Sequence, residues 1–545
     1  MELLVDLFGY LGIVLHGAAI LARAMAVGGA AFLIAAARPL GVDAAAQARI
    51  GCAAAHAAWA LAAIQILSVA MNAAVLADTA AIGAAKALGA QFALAGAAEA
   101  VAAIGLGVAL RRAAPCPVLA GLGAAILLAA VATTHAVARL DGRAPLYALG
   151  LLHQFGACIW IGGIPAFLAA LRAAPTPEAL RRVGSRFSRV SMTGVACILA
   201  SGVGMAWAYI GDLHGFYGTA YGVMVCAKIA MFGMLLGLGA GNFRLIERLR
   251  RDPGASVSRL RGFAEAEVGI GVAVFFAAAS LTSVPPAADL RDDRATWAEI
   301  VERNTPAMPR LASPDHDSLA LVKLQSKLDA EAAARKESPQ AAFVPGAGDL
   351  PPREASDIAW SEYNHHWSGF FVVLVGAMAL LAQGGIRWAR HWPLVFLGLA
   401  GFLFLRSDPE VWPMGAVGFW ESLRDVEVLQ HRFYVVLVVA FAWFEWRVRM
   451  GKARGRAVYV FPLLCAAGGV LLLTHSHAIA NVKEQLLIEI THTPLALAGI
   501  AAGWARWIEM RIDRDSHPVV WRAAGWIWPA CILFCGLLLT IYREA

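Results

Sequence analysis

Apolar residues run along this chain in blocks of about 20, separated by short polar breaks, and blocks of that length cross about 30 Å of hydrocarbon as helix. Barrel strands would alternate in polarity and be about half as long. Fourteen blocks read as spans, at 7–34, 52–77, 87–110, 118–137, 147–171, 190–210, 219–241, 263–283, 367–386, 393–405, 431–446, 457–474, 486–505 and 521–541. The block at 393–405 is short for a crossing and must be tilted, broken or extended into its flanks, which sets a range of twelve to fourteen. The expected fold is therefore all-α, a polytopic helical membrane protein.

Composition agrees, with 59% of the 545 residues apolar and 15% charged. The net charge of +7 does not point to nucleic acid, because the basic residues collect in the breaks between helices. These breaks are Arg38 with Arg49, Arg111–Arg112, Arg172 through Arg189, Arg244 through Arg261, Arg387–Arg390, Arg447 through Arg456 and Arg506 through Arg514. All fall on one side if the spans alternate from an outward N-terminus, so both termini are expected on the periplasmic side of an inner membrane. Glu2 and Asp6 with no basic n-region argue against a cleavable signal peptide, and the first block is read as a span. The one long break, 285–364, lacks the apolar mass for a core. The expected organisation is an eight-span module at 1–287, an outer linker or small subdomain at 288–364, and a six-span module at 365–545.

Eight of the fourteen histidines lie in the last third of the chain, and six of them stand out: His365, His366, His431, His475, His477 and His492. The threading above puts all six near the outer ends of their helices, with Asp408, Glu410, Asp425, Glu427 and Glu489 nearby in sequence. Imidazole binds copper, zinc and haem iron, and a carboxylate either ligates or orients a ligating ring. Ionisable groups inside a membrane are costly and functional by default, whereas histidines at wet span ends are ordinary. His431, His475, His477 and His492 form the expected principal metal site. Residues two apart on a helix face different ways, so His475 and His477 share an ion only if the helix has ended; His365 and His366 likewise point to different faces. Haem would instead take one histidine from each of two facing helices, and His431 with His492 or His477 is the pair for that alternative. In the first module His16, His135 and His153 sit toward the outer side of spans one, four and five, and Met71-Asn72 with His16 or His135 is a candidate mixed site. Lys228 with Glu267 is a candidate internal ion pair, the alternative being that either faces a water-filled path.

Eight cysteines occur without a CxxC pair, which argues against a disulfide framework or thiolate-ligated metal. No GxxxxGK loop, dinucleotide fingerprint, HExxH sequence or serine elbow is present, which disfavours an ATP-driven pump and soluble-type hydrolases, and no catalytic residue is assigned. Gly156, Gly162 and Gly163, and farther on Gly233, Gly237, Gly239 and Gly241, are expected to permit close helix approach.

LLHQFGACIWIGGIPAF at 151–167, Arg186-Phe187-Ser188 entering a span, Asn242-Phe243-Arg244 leaving another, and Glu265 through Glu267 before a span ending Leu281-Thr282-Ser283-Val284-Pro285-Pro286 resemble the bacterial copper resistance protein D family. The likeness is dense over about 147–287 and implies copper traffic at the inner membrane, often beside a periplasmic copper-binding partner. In the last six spans, Ser407-Asp408-Pro409 and Val428-Leu429-Gln430-His431 resemble elements of the membrane factor that assembles the copper centre of cytochrome oxidase, with Asp408 interrupting the serine-proline order and Arg432 standing where that family is apolar. The leading expectation is a protein that transports or relays copper between periplasm and membrane or cytoplasm. The alternatives are an electron-transfer protein with b-type haem on paired histidines, and a copper-centre assembly factor that transports nothing.

Overall fold

The computed structural model describes residues 2–133, 142–249, 251–252, 257–291, 294–314, 355–423, 426–474 and 482–544. The protein is an all-α, polytopic helical membrane protein, and twelve of its described helices are long and apolar enough to cross a membrane. In chain order the main helices are α1 (Glu2–Phe32), α2 (Ala44–Thr79), α3 (Gln91–Arg111), α4 (Cys116–Val131), α5 (Arg143–Ala157, continued by Cys158–Gly162 and Ile164–Ala173), α6 (Pro177–Tyr209), α7 (Ala220–Arg248) and α8 (Ser258–Leu281). They continue with α9 (Trp297–Asn304), α10 (Ala355–Gln383), α11 (Val395–Arg406), α12 (Val426–Arg449), α13 (Val460–Thr474), α14 (Val482–Arg511) and α15 (Pro518–Thr540). Each of the fourteen apolar blocks carries one of these helices. The two outside the set of twelve are α4, with sixteen residues, and α12, which carries Arg432 and Glu445 within its length.

Helix ends follow local chemistry. Asp43 caps α2 by accepting from the backbone N–H of Ala46 at 3.0 Å, so the helix starts well before its apolar block does. The short block at 393–405 gains length from a 3₁₀ turn, Trp388–Leu394, giving a continuous apolar helix of 19 residues. In the long break, α9 opens with a capping box between Thr296 and Glu299.

The chain forms two compact units, the first built on Met1–Asp292 with Val470–Ala478 and Met510–Pro518, the second on the remainder. In the first unit, π turns interrupt α1 at Leu33–Ala37 and α5 at Cys158–Gly162. A π turn releases carbonyls from the helical ladder, and one, that of Ala35, is taken by Arg186 Nε at 2.7 Å. Phe187 beside it stacks on Phe167 at 4.5 Å, so Arg186-Phe187 fastens α6 to both α1 and α5. At the second π turn the backbones touch. A Cβ on Gly28 would strike the carbonyl oxygen of Cys158, and one on Gly162 the carbonyl oxygen of Ala24. Gly233 and Gly237, by contrast, meet no neighbour among the described residues, whereas a Cβ on Gly241 would strike Phe263 and one on Gly239 would lie 3.9 Å from Glu267.

The second unit has a core of Trp392, Phe461 and Trp528 with Val375, Ala379, Ala502 and Ala505. The Arg449 guanidinium lies over all three aromatic rings, at 5.0 to 5.7 Å, and pairs with Glu445 at 2.6 Å. Glu509 accepts from Trp528 Nε1, Gln383 and Arg506. Arg449 is thus a packed core element as well as a topology signal.

Candidate metal-handling sites

In the first unit the buried polar groups meet around one ion pair. Arg23 of α1 donates to Glu99 of α3 from Nε at 2.6 Å and from Nη2 at 3.2 Å, and the two residues are 5% and 0% exposed. Gln65 of α2 donates to the same carboxylate at 2.7 Å, and Gln154 of α5 accepts from Arg23 at 3.4 Å. Charges of both signs buried in an apolar bundle survive only when paired and hydrogen-bonded, and amides from two further helices complete the pairing here. His153, next to Gln154, has Nδ1 at 3.0 Å from the hydroxyl of Ser201, which itself donates to the carbonyl of Cys197 at 2.6 Å. With that hydrogen committed, Ser201 accepts and His153 carries its proton on Nδ1. Lys228 lies within Coulombic range of this imidazole.

Glu267, 5% exposed, accepts from Asn242 Nδ2 at 2.7 Å, so its partner is the Asn242 amide rather than Lys228. Asn72 turns back to the carbonyl of Ser68 on its own helix, at 2.8 Å, next to the buried Met71. His16 is half-buried on α1 and interacts with a neighbour. His135 lies outside the described residues.

The second unit separates its histidines by what their nitrogens do. His366 is 0% exposed and both nitrogens face backbone: the Arg310 N–H donates to Nδ1 at 2.7 Å and Nε2 lies 2.7 Å from the Tyr542 carbonyl. The donors fix the tautomer with hydrogen on Nε2, so this ring ties two strands of backbone together. His365, one residue away, points differently. Its Nδ1 donates to the Ser361 carbonyl at 2.8 Å, and the Nδ1 of His492 donates to the Ile488 carbonyl at 2.8 Å. Both rings thereby hold hydrogen on Nδ1 and the lone pair on Nε2. The ring centroids of His365 and His492 are 6.5 Å apart at 85°. Tyr542 stacks on His365 at 4.1 Å and stands 6.4 Å from His492.

Two nitrogen–metal bonds of about 2.0 Å, added to two centre-to-nitrogen ring distances of about 1.15 Å, place the centroids of a linear two-coordinate bis-imidazole site about 6.3 Å apart. The observed 6.5 Å is close to that span, in an edge-to-face contact of the two rings. Glu489, one turn earlier on α14, is 5% exposed.

His431 forms a different unit. Its Nδ1 donates to Asp408 Oδ1 at 2.7 Å, and the other carboxylate oxygen accepts from Ser407 at 2.9 Å. A carboxylate behind an imidazole fixes ring orientation and raises basicity at the far nitrogen. Arg432, which breaks the likeness to the assembly factor, caps loose carbonyls: it donates to those of Phe404 and Trp412. His475 and His477 lie outside the described residues. Among the described residues no group of three or more His, Cys, Asp or Glu side chains converges as a metal site.

Arg23, Glu99, Glu445 and Glu509 lie outside the candidates drawn from the sequence, and Arg449 figures there only as a topology signal. Arg23 and Glu99 each stand alone in an apolar block, and that isolated charge was the available signal.

Residues 181–281 match the family model described as copper resistance protein D. The chain is 34% identical over 162 residues to the copper transport protein CutJ of Bacillus subtilis (strain 168), an alignment covering 29% of each protein. It is 30% identical over 102 residues to the copper resistance protein D of Pseudomonas syringae pv. tomato, covering 18% of this chain and 33% of that one. The chain thus spans no more than 33% of the length of these curated relatives. No solved structure matches. These matches bring no support for the likeness of the last six spans to the oxidase assembly factor.

Proposed function

We propose that this protein handles copper in the inner membrane, taking up the ion at imidazoles of its second unit and passing it between periplasm and membrane or cytoplasm in copper homeostasis or resistance. The match of residues 181–281 to the copper resistance protein D model supports the cargo. The observation that carries the reading is the pair His365 and His492, from two different helices, with proton-bearing Nδ1 atoms tied to their own helix carbonyls and centroids close to the spacing of two ligands on one ion. Two neutral imidazoles suit copper, and a site of few ligands also lets the ion leave, as conduction requires. His431, oriented by Asp408, is a second capture point, and His475 and His477 extend the proposed set. In the first unit His153, His16, His135 and Met71 are the proposed ligands, with a periplasmic copper-binding protein as the expected donor or acceptor.

The test is metal analysis with oxidised and reduced visible spectra on the full chain purified in mild detergent, alongside His365→Ala/His492→Ala. Wild type is expected to carry stoichiometric copper without a Soret band, and the double variant to lose about one equivalent. Unchanged stoichiometry and affinity would remove the pair from the site, and a Soret band with reduced α/β peaks would turn the function to electron transfer.

A further inference from the structure

Four arginines from two consecutive helices of the first unit line one open cavity of about 400 Å³. Arg244 and Arg248 come from the last turns of α7, Arg251 from just beyond it and Arg259 from the start of α8, with Leu245 and Glu247 completing the wall. Positions 244, 248 and 251 are four and three residues apart and so emerge from one face as α7 runs out. Arg259 is held in place: Nη2 donates to the Gly241 carbonyl at 2.9 Å and the guanidinium lies over the Phe263 ring at 5.6 Å. Its buried Nε has no hydrogen-bond partner. Arg244 and Arg248 are within Coulombic range of it, and among the described residues none of the four arginines pairs with a carboxylate.

Arginines that merely marked the membrane boundary would snorkel apart to lower their mutual repulsion. Here four converge on one cavity whose lining holds one carboxylate, Glu247, at the ends of two helices long and apolar enough to cross a membrane, where headgroups are expected. The geometry points to a binding site for the phosphodiester of an anionic phospholipid. Guanidinium forks match phosphate oxygens, and an electropositive wall disfavours a zwitterionic headgroup, whose ammonium would enter the same cavity. The site is independent of copper and of the histidines.

The probe is the full chain, delipidated in detergent and titrated with phosphatidylglycerol or phosphatidylethanolamine of matched acyl chains, with bound lipids counted by native mass spectrometry. Phosphatidylglycerol is expected to be retained at least about tenfold more tightly, and Arg248→Gln/Arg251→Gln to weaken it by roughly tenfold. Arg454→Gln/Arg456→Gln, removing the same charge from another basic break, is expected to leave retention unchanged. Equal retention of the two lipids, or equal loss in both double variants, would overturn the site. Displacement of the lipid by millimolar inorganic phosphate would reassign the cavity to a free anion. If Arg248→Gln/Arg251→Gln does not purify as a folded chain, the comparison of the two lipids on the wild type decides alone.

Discussion

Both units bury paired charges, Arg23 with Glu99 in the first and Arg449 with Glu445 in the second, but they differ in how they hold their other buried polar groups. The first neutralises full charges side chain to side chain: Arg23 and Glu99 meet deep in the bundle, and amides from two other helices fill their remaining positions. The second ties imidazoles mainly to backbone carbonyls near helix ends, which sets the tautomer without demanding a counter-charge. A closed pair of charges leaves no valence for a passing cation, whereas a ring anchored at Nδ1 keeps the lone pair on its other nitrogen. In the function proposed above, capture falls to imidazoles in both units, and the Arg23–Glu99 pair serves the packing of the first.

The largest expected effect comes from opening it. Glu99→Ala strands a buried guanidinium and should cost about 3–5 kcal/mol, read as a lower unfolding midpoint in detergent, while Arg23→Leu/Glu99→Leu should recover most of the loss because no lone charge remains. A double variant as unstable as the single would mean that the pair itself, and not its completeness, holds the bundle. Next comes the contrast within one helix: His366→Ala leaves a buried N–H and a carbonyl unmet and should cost about 2 kcal/mol of stability with copper content unchanged, whereas His365→Ala should do the reverse. Copper loss in His366→Ala without destabilisation would erase the distinction between the two rings. The smallest effect is expected at His431, where Asp408→Asn keeps the shape and weakens the orienting hydrogen bond. It should lower copper affinity at that ring by about tenfold, measured by competition with a copper(I) chelator, and an unchanged affinity would mark Asp408 and His431 as a structural pair.

The helices were legible because burying backbone in hydrocarbon demands an apolar block for each crossing, and every expected block carries a helix. Their ends were less so, since Asp43 and the 3₁₀ turn at Trp388–Leu394 act through hydrogen bonds outside the apolar run. The sites were legible only as residue types. Facing directions made His365 and His366 distinct, but which ring would be consumed by backbone depended on Arg310 and Tyr542, 56 and 176 positions away. For the same reason Gly28 and Gly162 gained a role from their contacts while Gly233 and Gly237, equal in composition, meet no neighbour among the described residues.

The glycine contacts also have a mechanical meaning. α1 and α5 touch backbone to backbone at Gly28 and Gly162, and α5 and α6 do so at Gly156 and Gly194, where a Cβ on either glycine would come within 2.8 Å of the other's carbonyl oxygen. Three helices are thus keyed together by close backbone contacts that leave little room to re-pack, which makes them the stiff keel of the unit. Glu99 on α3 reaches that keel through Arg23, and Gln65 on α2 joins it through Glu99, so a single guanidinium links the polar groups of α2 and α3 to the keel and acts as its bolt.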